Sequence, residues 1–330
     1  MRRGKKLLLI GVAVVLIAAA LFVICIGLVF FRGTPQGFSG FAMGSTLSGT
    51  VWVTGLLYPG LSGDFTWLVQ ELEEQLNAAT EAPLEALLVM KSSGGAFNPY
   101  LGALTKLWNI DGKDGNSPCV PTDAEIFRAL EKREVDLGAY GKGAACDAAL
   151  DRVEAMYVKA AVVNLGGNIM TYGRKPWGRP FKIALRDPLG GPNDTIGVFT
   201  LRGTHFISTS GSYEKYFERD GKRYHHIFDP QTGYPAERDP GLISVTVITG
   251  GDRREAGSPT AGGGAIGDML STACFVLGYE NSQELLQIYD CDGIFIYENG
   301  DVRDIGNVRA YFTLTSPAYH WYDEGGMVKR

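Results

Sequence analysis

Leu7 to Phe31 is an uncharged run of 25 residues, apolar apart from two glycines, with Arg2, Arg3, Lys5 and Lys6 before it and Arg32 after it. A bilayer core offers no water to unpaired backbone groups, and about 20 apolar residues in helical form cross it. A cleaved leader has a shorter core, about 7–15 residues, and ends at a small-residue site; none follows Phe31. Ile24 before Cys25 likewise argues against a lipid-bearing cysteine. The run is therefore expected to be an uncleaved anchor, with the basic tip held in the cytoplasm. This predicts a single-pass protein of the cell membrane: 1–32 as tip and anchor, 33–40 (GTPQGFSG) as a tether, and 41–330 as one extracytoplasmic domain.

Charge narrows the partners of that domain. The whole chain has a formal charge of −5, and the five basic residues of 1–32 leave −10 on the remainder. Such an acidic surface repels nucleic acid. Cys119, Cys146, Cys274 and Cys291 form no C-x-x-C pair, so a zinc site is not expected, and sequence alone does not choose a disulfide. Cys274 sits in an apolar helical pattern and reads as core.

Element patterns point to an α+β fold, mainly antiparallel sheets with packed helices. "TLSGTVWVTGLLY" reads as a strand, and "FTWLVQELEEQLNAA" and "LEALLVMKSSG" as helices. Thr122 is the expected N-cap of "TDAEIFRALEKR". From Tyr157 onward, "YVKAAVVNLGG", "FKIALRDP", "GVFTLRG", "HFISTSG" and "ISVTVITG" are short strands broken by turn residues. "DMLSTACFVLG" is a helix closed by Gly278, and "IFIYENGDVR" a hairpin with a type I′ turn at Asn299-Gly300. The Gly-rich stretch 251–264 reads as a loop and a candidate lid.

Four stretches carry chemistry. "LGAYGKGAACD" (137–147) combines glycines that let backbone approach a ligand with the cation of Lys142, which suits a phosphate; a turn before a helix starting near Ala144 is the plainer reading. "VVNLGGN" (162–168) presents Asn164 and bare backbone at a strand end. Asp268 and Thr272 stand at i, i+4 and can offer a carboxylate and a hydroxyl to a hard cation such as Mg²⁺; alternatively Asp268 caps the helix. "YHHIFDPQTGYP" (224–235) holds two of the four histidines beside turn chemistry, so an imidazole there is either a base or a strand-end residue.

The order of "AMGST" (42–46), "GGAFNPYLGALTKLW" (94–108), "DLGAYGKGAACD" (136–147), "NLGGNI" (164–169), "TSGSYEKYF" (209–217), "HHIFDPQTGYP" (225–235) and "DMLSTACFVLG" (268–278) resembles the ApbE-like flavin transferases, FAD:protein FMN transferases, over about 40–315. The resemblance implies Mg²⁺-dependent transfer of FMN from its substrate FAD to a Thr or Ser hydroxyl of an acceptor flavoprotein, with AMP released. It implies Mg²⁺ held by Asp268, Thr272 and the carbonyl of Ala139. Lys142, Gly166, Gly167, Met43, Asn98, Asn164, Ser210, Gly211 and His226 would bind FAD, with His226 as base and Lys142 assisting. Its implied partners are FAD, the acceptor protein and, through the anchor, the membrane. Asn98 and Asn168 stand where the family commonly has Asp, the stretch between Gly49 and Gly94 is shorter than usual, and 251–264 is longer. Two alternatives share these residues: an FAD pyrophosphatase, and a surface flavin-binding protein without turnover.

Overall fold

The computed structural model describes residues 15–24, 33–53, 60–112, 117–156, 158–250 and 263–322. Its frame is a nine-stranded sheet in the order β1-β2-β3-β4-β7-β10-β11-β12-β14. These strands are β1 (Thr34–Ala42), β2 (Ser45–Val53), β3 (Ala160–Leu165), β4 (Asn168–Gly173), β7 (His205–Gly211), β10 (Leu242–Gly250), β11 (Asp292–Tyr297), β12 (Asp301–Ile305) and β14 (His320–Trp321). Neighbours pair antiparallel, except β12 with β14, which is parallel. The expected α+β class with mainly antiparallel sheet is what the chain adopts.

Helices cover one face of this sheet. They are α1 (Leu61–Asn77), α2 (Leu84–Ser92), α5 (Gly141–Ala155), α6 (Gly264–Leu277) and α7 (Tyr279–Ile288), while α3 (Gly102–Trp108) and α4 (Asp123–Leu130) pack on each other to one side. A second sheet, β13-β6-β5, covers the other face with β5 (Phe181–Arg186), β6 (Thr195–Leu201) and β13 (Phe312–Leu314). The period-2 alternation of β10 shows why the middle layer reads as continuously apolar. Val245 and Val247 pack toward α6 while Ile248 faces the smaller sheet, and a register shift between Leu242 and Ser244 breaks the alternation so that Ile243 faces that sheet too. A satellite core around Trp108 joins α3 and α4 to a ribbon of β8 (Tyr216–Arg219) and β9 (Lys222–His225).

Thr122 caps α4 through the backbone N–H of Glu125, whose own carboxylate accepts from the N–H of Thr122. Cys119, Cys146, Cys274 and Cys291 are free thiols, and Cys274 is fully buried in the core.

Three expectations need correction. The stretch 33–40 is not a tether: residues 34–42 form β1, fully paired with β2. Its small residues serve close packing, since Phe38 stacks on Phe65 at 4.4 Å and a Cβ on Gly40 would lie 2.2 Å from Thr66 Oγ1. The turn before Asp301 is not type I′. Asn299 keeps a negative φ, and Gly300, at φ 87, closes a three-residue loop that donates to the carbonyl of Tyr297. Gly263 and Gly264 belong not to a loop but to the N-cap and first residue of α6; 251–262 lie outside the described residues. Of the apolar run, residues 15–24 are helical and exposed and the rest lies outside the described residues. Among the described residues no helix is long and apolar enough to cross a membrane.

Candidate active site

Two tight turns and two helices meet at one end of the large sheet. The β1–β2 hairpin turns at Met43 and Gly44, both with positive φ (50° and 63°), and the β3–β4 hairpin turns at Gly166 and Gly167. Positive φ at both central residues matches the twist of the flanking strands; for Met43 it is a conformation that side chains rarely accept. The Met43 N–H donates to Glu73 Oε2 on α1 at 2.8 Å, and its sulfur lies near Gly141. Asn164 accepts from the Gly167 N–H and so stabilises the second turn.

Lys142 and Gly143 do not lie in a loop, as 137–147 suggested. They form the first turn of α5, which begins at Gly141 rather than near Ala144. Gly143 lets α5 and α6 touch: a Cβ there would sit 2.2 Å from the Gly264 carbonyl oxygen and 2.7 Å from Asp268 Cβ. Asp147, one turn later, accepts from the N–H groups of Gly264 and Ala265 and thereby caps α6 from a neighbouring helix. Nothing in the sequence reading found Asp147; its spacing of four from Gly143 was the available signal.

Asp268 is only 3% exposed. It lies inside α6, not at its amino end, so it is not the N-cap. Its Oδ2 accepts from the Gly143 N–H at 2.9 Å and its Oδ1 from the Asn168 amide at 3.4 Å. Burial pushes this carboxyl above the usual range, opposed by the Lys142 cation and these hydrogen bonds. Asn168 is itself buried, and its Oδ1 has no hydrogen-bond partner among the described residues. An Asp at 168 would place a second carboxylate within hydrogen-bond distance of Asp268, so the amide removes a like-charge repulsion. On the next turn of α6, Thr272 Oγ1 and Ser271 Oγ both meet Ser210 Oγ, at 3.1 and 2.8 Å. Ser271 was another residue that sequence reading missed. Gly211 follows on β7, where the Tyr213 ring occupies the space a Cβ would need.

Asn98 and Ala139 stand further back. Asn98 Oδ1 accepts from the Tyr100 N–H, an Asx turn, and the neighbouring Pro99 carbonyl accepts from Asp136 as the chain runs toward Ala139. Ala139 is half-buried in the turn before α5, packed against the core that includes Met269.

The two histidines separate into different jobs. His225 is buried, with its ring edge-on to Phe275. Its Nδ1 accepts from the Ile227 N–H, so its Nε2 must donate to the Ala236 carbonyl. Protonation would set an N–H against an N–H. Burial, the largest cause, pushes the ring's pKa down to about 4. His226 is half-buried, and its Nδ1 contacts the Lys215 carbonyl at 3.2 Å, so Nδ1 carries the proton and Nε2 keeps a free lone pair. Burial, then the Lys215 and Lys142 cations, push it down to about 3. Lys142 thus acts on both His226 and Asp268. The turn beyond is closed by Asp229, which accepts from Gln231, Thr232 and Gly233, and Trp108 Nε1 donates to the Gly233 carbonyl.

His225 gives a pH prediction. Its folded pKa lies below the unfolded value of about 6.5, so the unfolded chain binds the extra proton and stability falls as pH falls from about 6.5 toward 4. Denaturant titrations are expected to show about 2 kcal/mol less stability at pH 5 than at pH 7.5 from this residue. His226, pushed down further, adds a slope of its own in this window, so His225→Gln is expected to reduce the slope without abolishing it; an unchanged slope would remove His225 as a source.

The comparisons with known proteins bear on this arrangement. A family model described as the ApbE family matches residues 78–295. Relatives named FAD:protein FMN transferase include one from Treponema pallidum, 35% identical over 251 residues, covering 66% of this chain and 65% of the relative. One from Klebsiella pneumoniae is 36% identical over 250 residues, covering 69% and 72%. The solved apo form of Pseudomonas stutzeri flavinyl transferase ApbE aligns with TM-score 0.64 at 27% identity, over 86% of this chain and 94% of that one. The Thermotoga maritima ApbE protein aligns with TM-score 0.67 at 26% identity, over 84% and 99%. The chain spans about two thirds of the length of the relatives it matches. With a family match over most of its length and the same fold in solved relatives, this chain belongs to the ApbE family.

Proposed function

We propose that this protein transfers FMN from FAD to a Thr or Ser hydroxyl of an acceptor flavoprotein at the outer face of the cell membrane, using Mg²⁺ and releasing AMP. The single observation that carries the reading is Asp268, a carboxylate kept almost wholly buried, with Lys142, the hydroxyls of Ser210, Ser271 and Thr272, and an amide oxygen unpartnered among the described residues around it. Burying a charge is unfavourable, and a fold keeps one where a cation or a reaction needs it. Among the described residues no group of three His, Cys, Asp or Glu gathers to hold a metal. One carboxylate with neutral oxygens suits Mg²⁺, which retains waters and takes substrate phosphates as ligands. Asp268, Thr272 and the Ala139 carbonyl would hold it, and the unpartnered Asn168 Oδ1 adds an oxygen nearby. When bound, Mg²⁺ would neutralise the pyrophosphate charge that builds as the bond breaks.

The remaining work belongs to the chain. Lys142 and the bare backbone at Gly166 and Gly167 receive phosphate oxygens, while the strained Met43 turn closes the edge of the cleft. Asn98, Asn164, Ser210 and Gly211 complete the flavin-binding surface in this reading. Nε2 of His226 takes the proton of the acceptor hydroxyl as its oxygen bonds to the FMN-side phosphorus, and the pyrophosphate oxygen leaves with AMP. Phosphate charges beside the ring oppose the two lysines that depress its pKa, so substrate raises its basicity where the proton is needed. The apolar run 7–31 holds the domain at the membrane.

Full-length protein incubated with FAD, Mg²⁺ and an acceptor bearing an attachment Thr tests this by mass spectrometry. Labelled acceptor and AMP are expected in equal amounts, both lost on chelation. His226→Ala is expected to lower labelling about 10²-fold, the range of a general base. AMP without labelled acceptor would instead support the pyrophosphatase, and FAD binding without AMP the flavin-binding protein.

A further inference from the structure

The opposite end of the large sheet carries a constellation that flavin chemistry does not use. There the chain enters β1, and a Cβ on Gly33 would lie 3.3 Å from Trp52 Cβ. Trp52 pairs with Ala160, and Ala160 with Gly173. The start of β1 and the segment after β4, residues 174–182 (RKPWGRPFK), therefore share one end of the sheet. That segment holds Arg174, Lys175, Arg179 and Lys182 and no acidic residue. The Arg174 N–H donates to the Lys159 carbonyl, and Lys175 Nζ lies 5.0 Å from the centre of the Trp52 ring. Arg202, just past β6, donates to the Gly178 carbonyl. Between these cations a turn at Pro176–Gly178 holds Trp177 at φ 65, with the residue 67% exposed. A carboxylate, Glu154, acts on Tyr172 close by, while Arg174, Arg179, Lys182 and Arg202 are all exposed.

We propose that this end docks on an anionic bilayer surface, with Trp177 in the headgroup region and Arg174, Lys175, Arg179, Lys182 and Arg202 against lipid phosphates. Tryptophan favours that interface, and basic residues near an anionic leaflet are attracted to it. The choice of a bilayer as occupant rests on the anchor reading of residues 7–31. Only Arg32 separates that run from Gly33, so at most roughly 7 Å of chain joins it to the start of β1, which lies three strand spacings, roughly 14 Å, from Gly173 and the patch. A local excess of positive charge on a domain of formal charge −10 is also what such a surface requires, since the rest of the domain is repelled. The nine residues of β1 then hold the Met43 turn roughly 27 Å away from the headgroups, with the flavin site facing outward.

Full-length protein reconstituted into phosphatidylcholine vesicles, with or without phosphatidylglycerol and with brominated chains, tests the patch by tryptophan quenching. Quenching is expected with phosphatidylglycerol, and is expected to be lost in Trp177→Phe and in the triple variant Arg174→Glu, Arg179→Glu, Lys182→Glu. Equal quenching of wild type and Trp177→Phe, or quenching independent of anionic lipid, overturns the proposal. If the triple variant keeps the quenching but loses acceptor labelling, the patch binds an acidic protein and the proposal is likewise overturned. Flotation in high salt reads the anchor separately. If the protein then leaves the vesicles, the anchor reading fails. The patch is still read from salt-sensitive binding at low salt, where the triple variant is expected to bind on the order of 10²-fold more weakly; an unchanged affinity overturns it.

Discussion

Asp268→Asn is expected to lower FMN transfer and AMP release by on the order of 10³-fold while leaving the protein at least as stable to heat. The substitution keeps the shape and an acceptor for the Gly143 N–H, and it removes a charge that burial disfavours. A carboxylate in a structural role would behave the opposite way, since breaking a buried pair destabilises by several kcal/mol. Loss of a metal-holding group removes several kcal/mol of charge stabilisation in the transition state, and each 1.4 kcal/mol is a factor of ten. The pair of measurements is turnover with FAD and acceptor, and melting temperature without ligand. Unchanged turnover would sink the proposed role of Asp268. A large fall in melting temperature with turnover reduced only in proportion to folded protein would make it structural.

The fold was legible where one physical signal dominated. Strand alternation in "ISVTVITG" and "FKIALRDP" and the Thr122 capping box identified β10, β5 and the start of α4, because each depends on neighbours in sequence. The reading failed where tertiary packing decides. "GTPQGFSG" has the composition of a tether, yet its glycines and small residues let β1 close on α1. Asn299-Gly300 carries an I′ signature but makes a three-residue loop instead. Asp220-Gly221, with the same signature and both φ positive, does make the tight turn between β8 and β9.

The site divides along the same line. Residues near one another in sequence, such as Asn164 with Gly166 and Gly167, could be grouped from the chain itself. The convergence of Asp268 with Gly143, Lys142 and Asn168 spans contacts of 100 residues or more and is visible only once α5 lies against α6. Family resemblance nominated Lys142 and Asp268; the geometry supplies a reason for them. It gives less support to Asn98, whose Oδ1 accepts from Tyr100 within its own turn. Ser271, Asn168 and Asp147 fall within the motifs named above, but the motifs do not show what they touch. Their roles come from facing partners on other elements.

Gly143→Ala is expected to damage both stability and turnover. Its Cβ would meet α6 backbone first, 2.2 Å from the Gly264 oxygen and 2.5 Å from its carbon, and then Asp268 Cβ at 2.7 Å. Neither helix can yield locally. Gly264 lies in the turn that Asp147 caps, and α6 is buried along most of its length between the sheet and its neighbours. The helices must therefore separate, stretching the Gly143 N–H contact to Asp268 and shifting that carboxylate from Thr272's partners on β7. Overpacking of this kind destabilises by about 1–3 kcal/mol, with backbone contacts at the upper end. A fall of roughly 5–10 °C in melting temperature is expected, together with a loss of turnover greater than the loss of folded protein. Gly63→Ala, on α1 with nothing within 4 Å of the added carbon, is the matched control. Helix propensity there predicts a gain of about 0.5–1 kcal/mol. If Gly143→Ala melts and turns over like wild type, α5 and α6 do not meet through this glycine, and the proposed positioning of Asp268 falls with that contact.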